Sequence, residues 1–156
     1  MSSPRSIRSV PQIVRVVRRH TVVVQFVDTN VLLYSVSTAA AERSKARIAR
    51  ALLDRDDLAL SVQVLQEFYV QATRATKQNR LSHEQAVLLV EAFLRFVVQE
   101  TTVAILKASL IAAKRYAISY WDAAIVEAAR ASGCSVVLSE DLSDGQDYDG
   151  VTVHNP

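Results

Sequence analysis

Apolar and polar positions along this chain switch between two periods, and each switch marks an element. Val22 to Val27 is an almost unbroken apolar run with β-branched bias, the pattern of a strand buried on both faces. It ends on Asp28, and a helix-like apolar pattern runs from Asn30 to Tyr34 and resumes over Glu42 to Leu53. Leu58 to Ser61 predicts a short second strand. From Gln63 to Thr76 a helix is predicted, with Val64, Leu65, Phe68 and Ala72 on one face. Ser82, with Glu84 and Gln85 behind it, predicts the N-cap of a helix through Phe96. Val97 to Thr101 predicts a third strand, and Val103 to Tyr116 a helix. Ser119-Tyr120-Trp121-Asp122 predicts a capping box opening a helix through Ala131 that stops at Gly133. Ser135 to Leu138 predicts a buried strand, Glu140 to Gly150 an acidic loop, and Val151 to Val153 an edge strand. Strands alternating with helices predict an α/β fold, a mainly parallel sheet with helices on both faces.

Composition narrows this picture. A chain of 156 residues, half of them apolar, buries a substantial core as one domain without disulfides or a structural metal. The single cysteine, Cys134, has no internal partner and predicts a small core residue in a reducing, cytoplasmic compartment. No apolar run approaches the roughly 20 residues that cross a bilayer, so no membrane partner is expected. Residues 1–21 read as a basic extension ahead of a single domain over 22–156, with arginines at 5, 8, 15, 18 and 19. The whole chain carries 18 basic and 16 acidic residues, net +2; without those five arginines 13 basic residues face 16 acidic ones, net −3. The domain therefore lacks the basic footprint of a general nucleic-acid binder. Any attraction for nucleic acid must be local and partly supplied by bound cations.

Four acids stand where one cleft can collect them. Asp28 follows the first strand and Asp141 the strand Ser135 to Leu138, so in a parallel sheet both reach the edge where open α/β sheets bind ligands. Asp122 falls in the first turn of its helix, where the macrodipole favours negative charge. Glu67 flanks the apolar stripe of the helix that follows the second strand. Taken singly, each has an ordinary reading: a turn residue, a helix-start acid, a solvated face among Gln63, Gln66 and Gln71, a member of an acidic loop. Taken together they are costly without a cation, because like charges raise one another's pKa. Magnesium or manganese relieves that cost and activates water for displacement at phosphorus. His20, His83, His154 and Cys134 show no zinc-ligand spacing. Thr29, Asn30, Ser61 and Ser139 read as caps and turn formers that also fall at the catalytic edge, where a hydroxyl or amide can hold a water or orient an acid. Trp121 and Tyr120 read as packing at a helix start, with stacking on a base as the other option. Arg43 to Arg47 and Arg74 to Arg80 read as solvated faces, with RNA phosphate contacts as the minority reading.

Four segments, Phe26 to Tyr34, Leu60 to Phe68, Tyr120 to Ile125 and Leu138 to Leu142, resemble in order the successive acidic motifs of PIN-domain ribonucleases, nearest to the toxins of VapBC-type toxin–antitoxin pairs. The resemblance spans about Val22 to Val153. It implies a three-layer α/β/α fold and endonucleolytic cleavage of RNA dependent on Mg2+ or Mn2+. It makes Asp28, Glu67, Asp122 and Asp141 the catalytic, metal-holding acids, with Ser139 where many relatives carry threonine. It also implies a homodimer and a small antitoxin whose tail enters the acidic groove. Leu142-Ser143-Asp144-Gly145 departs from the usual continuation of the last motif, which leaves the role of Asp144 open. A PIN module that binds RNA or a partner without cutting is the alternative. A haloacid-dehalogenase-like phosphatase fits less well, since Asn30 stands where its second aspartate belongs. A response-regulator receiver also fits less well, since it wants paired acids near its first strand.

Overall fold

The computed structural model describes residues 24–156. The expectations for the basic extension, and for Val22 and Val23 of the first strand, fall outside those residues. In chain order the elements are β1 (Gln25–Val27), α1 (Thr29–Ser35), a 3-10 turn (Ala40–Glu42), α2 (Arg43–Leu53), β2 (Leu58–Ser61), α3 (Val62–Ala72) and α4 (His83–Phe93). They continue with β3 (Val97–Gln99), α5 (Val103–Tyr116), α6 (Tyr120–Ala131), β4 (Val136–Leu138) and β5 (Thr152–His154).

The five strands form one sheet in the order β3-β2-β1-β4-β5, and every neighbouring pair is parallel. Phe26 of β1 lies opposite Ala59 of β2 and Val137 of β4. All four residues of β2 are buried although successive side chains point to opposite faces, so both faces are covered by helices. This is the expected three-layer arrangement. α1 packs on α2 and α3, and α5 on α6. Phe26, Phe68, Leu32 and Leu60 are fully buried, each stabilising the fold by about 1.5–3 kcal/mol relative to exposure. Phe68 of α3 meets Phe93 of α4 edge to face at 5.3 Å, which pins α4 against the sheet layer.

Three local expectations need correction. α3 stops at Ala72 rather than Thr76, because the Thr73 hydroxyl donates to the Tyr69 carbonyl at 2.7 Å and Leu81 N–H donates to the Ala72 carbonyl at 2.9 Å. The reciprocal capping box belongs to Ser82 and Gln85 of α4. At Ser119 only the hydroxyl acts, accepting from Asp122 N–H at 3.1 Å, so the Asp122 carboxylate is left for other work. The third strand ends at Gln99 on the sheet edge, where Val97 is more than half exposed. Cys134 is buried, as a small core residue should be.

Candidate active site

A parallel sheet sets the carboxyl ends of β1, β2 and β4 along one edge, and a cleft of about 740 Å³ opens there. Asp28, Glu67, Asp122 and Asp141 all line it. The structure thus brings together four acids that are up to 113 positions apart in the chain.

Asp28 is held most firmly. Its N–H donates to the Leu138 carbonyl at 3.0 Å, extending the β1–β4 pairing by one residue. Its carboxylate caps α1, with Oδ1 accepting from Thr29 N–H at 2.6 Å. Oδ2 accepts from the Ser139 hydroxyl at 2.7 Å and, more loosely, from the Asn30 amide at 3.4 Å. Burial pushes the Asp28 carboxyl up to about 6; the Ser139 and Thr29 hydrogen bonds oppose this, and the charges of Asp141 and Glu67 add to it. A buried carboxylate that resists ionisation beside two other acids is a group that a cation would stabilise.

Thr29, Asn30 and Ser139 form the brace between the acids. The Thr29 hydroxyl donates to Glu67 Oε2 at 2.8 Å, tying α1 to α3. Asn30 Oδ1 accepts from Glu140 N–H at 3.3 Å, and its amide nitrogen reaches the Ser139 hydroxyl at 3.3 Å. Ser139, fully buried, also accepts from Asp141 N–H at 3.2 Å and Leu142 N–H at 3.3 Å, closing the turn after β4. Ser61 does what a cap does, accepting from Val64 N–H. Within the acidic loop the roles divide sharply. Asp141 faces the cleft. Glu140 instead pairs with Lys45, which also reaches the Tyr34 hydroxyl, and the bond to Lys45 holds its carboxyl below the usual range. Asp144 accepts from Asn155 N–H at 2.9 Å and does not line the cleft.

A profile of the PIN domain matches residues 25–143. The chain belongs to the PIN-domain family. Among solved structures this PIN domain is similar to a toxin–antitoxin complex from Klebsiella pneumoniae, with 19% identity over 84% of this chain and 96% of that one, TM-score 0.61. It is similar to VapC20 of Mycobacterium tuberculosis, a sarcin–ricin-loop-cleaving toxin, with 20% identity over 75% and 91%, TM-score 0.59. It also matches DNA-bound VapBC of Salmonella typhimurium, with 17% identity over 85% and 97%, TM-score 0.57. At these identities the likeness is one of fold. No curated protein matches the sequence.

The donor set of the PIN domain's cleft is carboxylate oxygen, which suits hard cations such as magnesium or manganese. Its other metal-ligand residue types are engaged elsewhere: His83 meets the Tyr69 hydroxyl at 2.9 Å, and His154 lies in β5. Among the described residues no three of His, Cys, Asp and Glu are drawn into a ready-made cage. Four carboxylates lining one cleft repel one another, and a cation among them would relieve that repulsion.

The sequence reading missed part of the lining. Glu42, Tyr34, Gln63, Gln66, Gln71, Arg74, Lys77 and Trp121 also face the cleft. Gln63 donates to Glu67 Oε1 at 3.0 Å, so the polar face of α3, read as solvated, is a wall of the cleft. The signal was present in the spacing: Gln63, Glu67 and Gln71 recur one turn apart. Arg74 and Lys77 follow beyond the end of that helix rather than lying on a remote face. Trp121 is 62% exposed, which corrects its reading as helix-start packing.

Proposed function

We propose that this PIN domain is a Mg2+- or Mn2+-dependent endoribonuclease and the toxin of a toxin–antitoxin pair. The observation that carries the proposal is the convergence of Asp28, Glu67, Asp122 and Asp141 on one cleft at the carboxyl edge of the sheet. These four acids would hold the cation. When bound, the cation supplies charge neutralisation and an activated water for in-line displacement at phosphorus. Ser139 and Thr29 N–H keep the Asp28 carboxylate oriented, and the Thr29 hydroxyl and Gln63 amide keep Glu67 turned into the cleft. Similarity to a toxin–antitoxin complex, to a DNA-bound VapBC and to a sarcin–ricin-loop-cleaving toxin supports the same reading.

An acidic cleft attracts a basic peptide, the property through which a small antitoxin would block it. A homodimer belongs to the same reading, with Leu88 of α4 and Val103, Leu110 and Ile111 of α5 as exposed apolar side chains for contact. The rival reading is a PIN module that binds RNA or a partner without cutting, and the absence of a ready-made cage among the described residues is the observation on its side. Incubating structured RNA with manganese and either the wild-type chain or Asp28→Asn decides between them. Cleavage by the wild type alone supports the nuclease; equal cutting by both proteins removes it. Co-purification with a small, basic-tailed protein that suppresses cutting would support the toxin assignment.

A further inference from the structure

Trp121 is the chain's single tryptophan and the most exposed aromatic side chain of the described core and cleft. Phe26, Phe68, Phe93, Phe96 and Tyr148 are all buried, whereas the Trp121 indole stands 62% exposed on the cleft wall beside Asp122. Exposure alone is ordinary for an apolar side chain, and Leu88, Val103 and Ile111 are more exposed. What sets Trp121 apart is a flat aromatic face in the cleft that holds the four acids. Tyr120 meets the ring edge to face at 5.1 Å and 75°. The Gln63 amide reaches the Trp121 backbone carbonyl at 3.5 Å, tying the start of α6 to α3. Arg74 and Lys77 line the same cleft, and neither takes part in an ion pair among the described residues. The cleft therefore combines acids, an exposed aromatic face and two cations free to meet phosphate.

Resting on the nuclease reading, we propose that Trp121 is a stacking platform for an unpaired nucleobase beside the scissile phosphate, with Arg74 and Lys77 holding the backbone that leads away from it. Aromatic stacking of this kind tolerates any base, because every base has a π-face, and it excludes duplex, whose bases are already stacked on one another. What the geometry adds is the residue that meets the unpaired base next to the cut, and the two cations set to meet the phosphates beside it. Trp121 acts as a positioning residue, and its side chain takes no part in the chemistry at phosphorus.

The lone tryptophan makes the test direct. Asp28→Asn, full length, is titrated with a short unpaired oligoribonucleotide of mixed sequence, with the same strand in a perfect duplex, and with inorganic polyphosphate, following both RNA anisotropy and tryptophan emission. The unpaired strand is expected to quench the emission saturably, and the duplex and polyphosphate to leave it unchanged. In the cutting-competent chain, Trp121→Ala is expected to raise KM for the unpaired strand about tenfold, the effect of losing one stacked base. kcat should fall far less, and Trp121→Phe should restore most of the loss. Binding by anisotropy without any change in emission would overturn the platform while leaving the nuclease reading intact, as would unaltered KM in Trp121→Ala. If the wild type neither binds nor cuts RNA, the nuclease reading fails and this inference fails with it.

Discussion

The Ser139 hydroxyl donates a 2.7 Å hydrogen bond to Oδ2 of Asp28, although the two residues lie 111 positions apart. Both are buried, and the bond joins the ends of two neighbouring parallel strands, β1 and β4. With the bond from Asp28 N–H to the Leu138 carbonyl, it fixes the proposed metal-holding acid to the sheet, the one through its backbone and the other through its carboxylate. Because the acceptor is a carboxylate in a low-dielectric site, the bond is stronger than an ordinary hydroxyl contact.

Ser139→Ala should lower stability by about 1.5–3 kcal/mol, since Asp28 loses a donor and Asp141 N–H and Leu142 N–H lose an acceptor. The Asp28 carboxyl should rise further, because the lost bond favours its charged form. Urea denaturation reads the first effect. A shift of the acid limb of the cleavage profile to higher pH reads the second.

Asp28→Asn should abolish cutting and yet stabilise the metal-free chain at neutral pH. The Asp28 carboxyl titrates near 6 in the folded chain against an ordinary 3.8, so between those values the folded state binds more protons than the unfolded one. Its contribution to stability is fully present below 3.8 and is lost as pH rises through 6. The asparagine carries no charge to desolvate, but it offers only one acceptor oxygen to the Thr29 and Ser139 donors. A net gain of about 1–2 kcal/mol at pH 7.5 follows, shrinking towards pH 4. Melting temperatures in chelator across that range check it; a variant less stable than wild type at pH 7.5 would contradict the burial argument.

Divalent metal should stabilise the wild-type chain without any RNA present. At a magnesium or manganese concentration one hundred times the dissociation constant the gain is about 2.7 kcal/mol. Differential scanning fluorimetry should show a saturable rise, absent in the double variant Asp28→Asn with Asp141→Asn. An equal rise in that variant would place the ion elsewhere.

Thr29→Val should separate activity from stability. The change keeps volume and β-branching but removes the 2.8 Å bond that holds Glu67 from across the α1–α3 contact. Cutting should fall about tenfold as Glu67 loses its orientation; because Glu67 is only part-buried and keeps the Gln63 amide, stability should fall by no more than about 1 kcal/mol. Thr29→Ser, which keeps the hydroxyl, should cut nearly as well as wild type.

Much of this fold is legible in local sequence pattern. The α3 stripe of Val64, Leu65, Phe68 and Ala72 is the buried set of that helix, and Ser82 caps α4 as its spacing implied. These features depend on neighbours within a turn or two, so local pattern carries them. The end of α3 was less legible. It is decided by Leu81 N–H returning to the Ala72 carbonyl, a contact that no periodicity announces.

The sequence by itself determined the order of strands and helices, the parallel class of the sheet, and which acids stand at element boundaries, because hydrophobic period and capping chemistry are short-range properties. Only the tertiary structure decided which of those boundaries face one another. Placing β1 between β2 and β4 brings Asp28 against Ser139 and turns the polar side of α3 into a cleft wall. It sends Glu140 to Lys45 and Asp144 to Asn155, and leaves Asp141 facing the cleft and Trp121 bare. Neighbouring acids in one loop look alike in sequence; they diverge because each meets a partner supplied by a distant part of the chain.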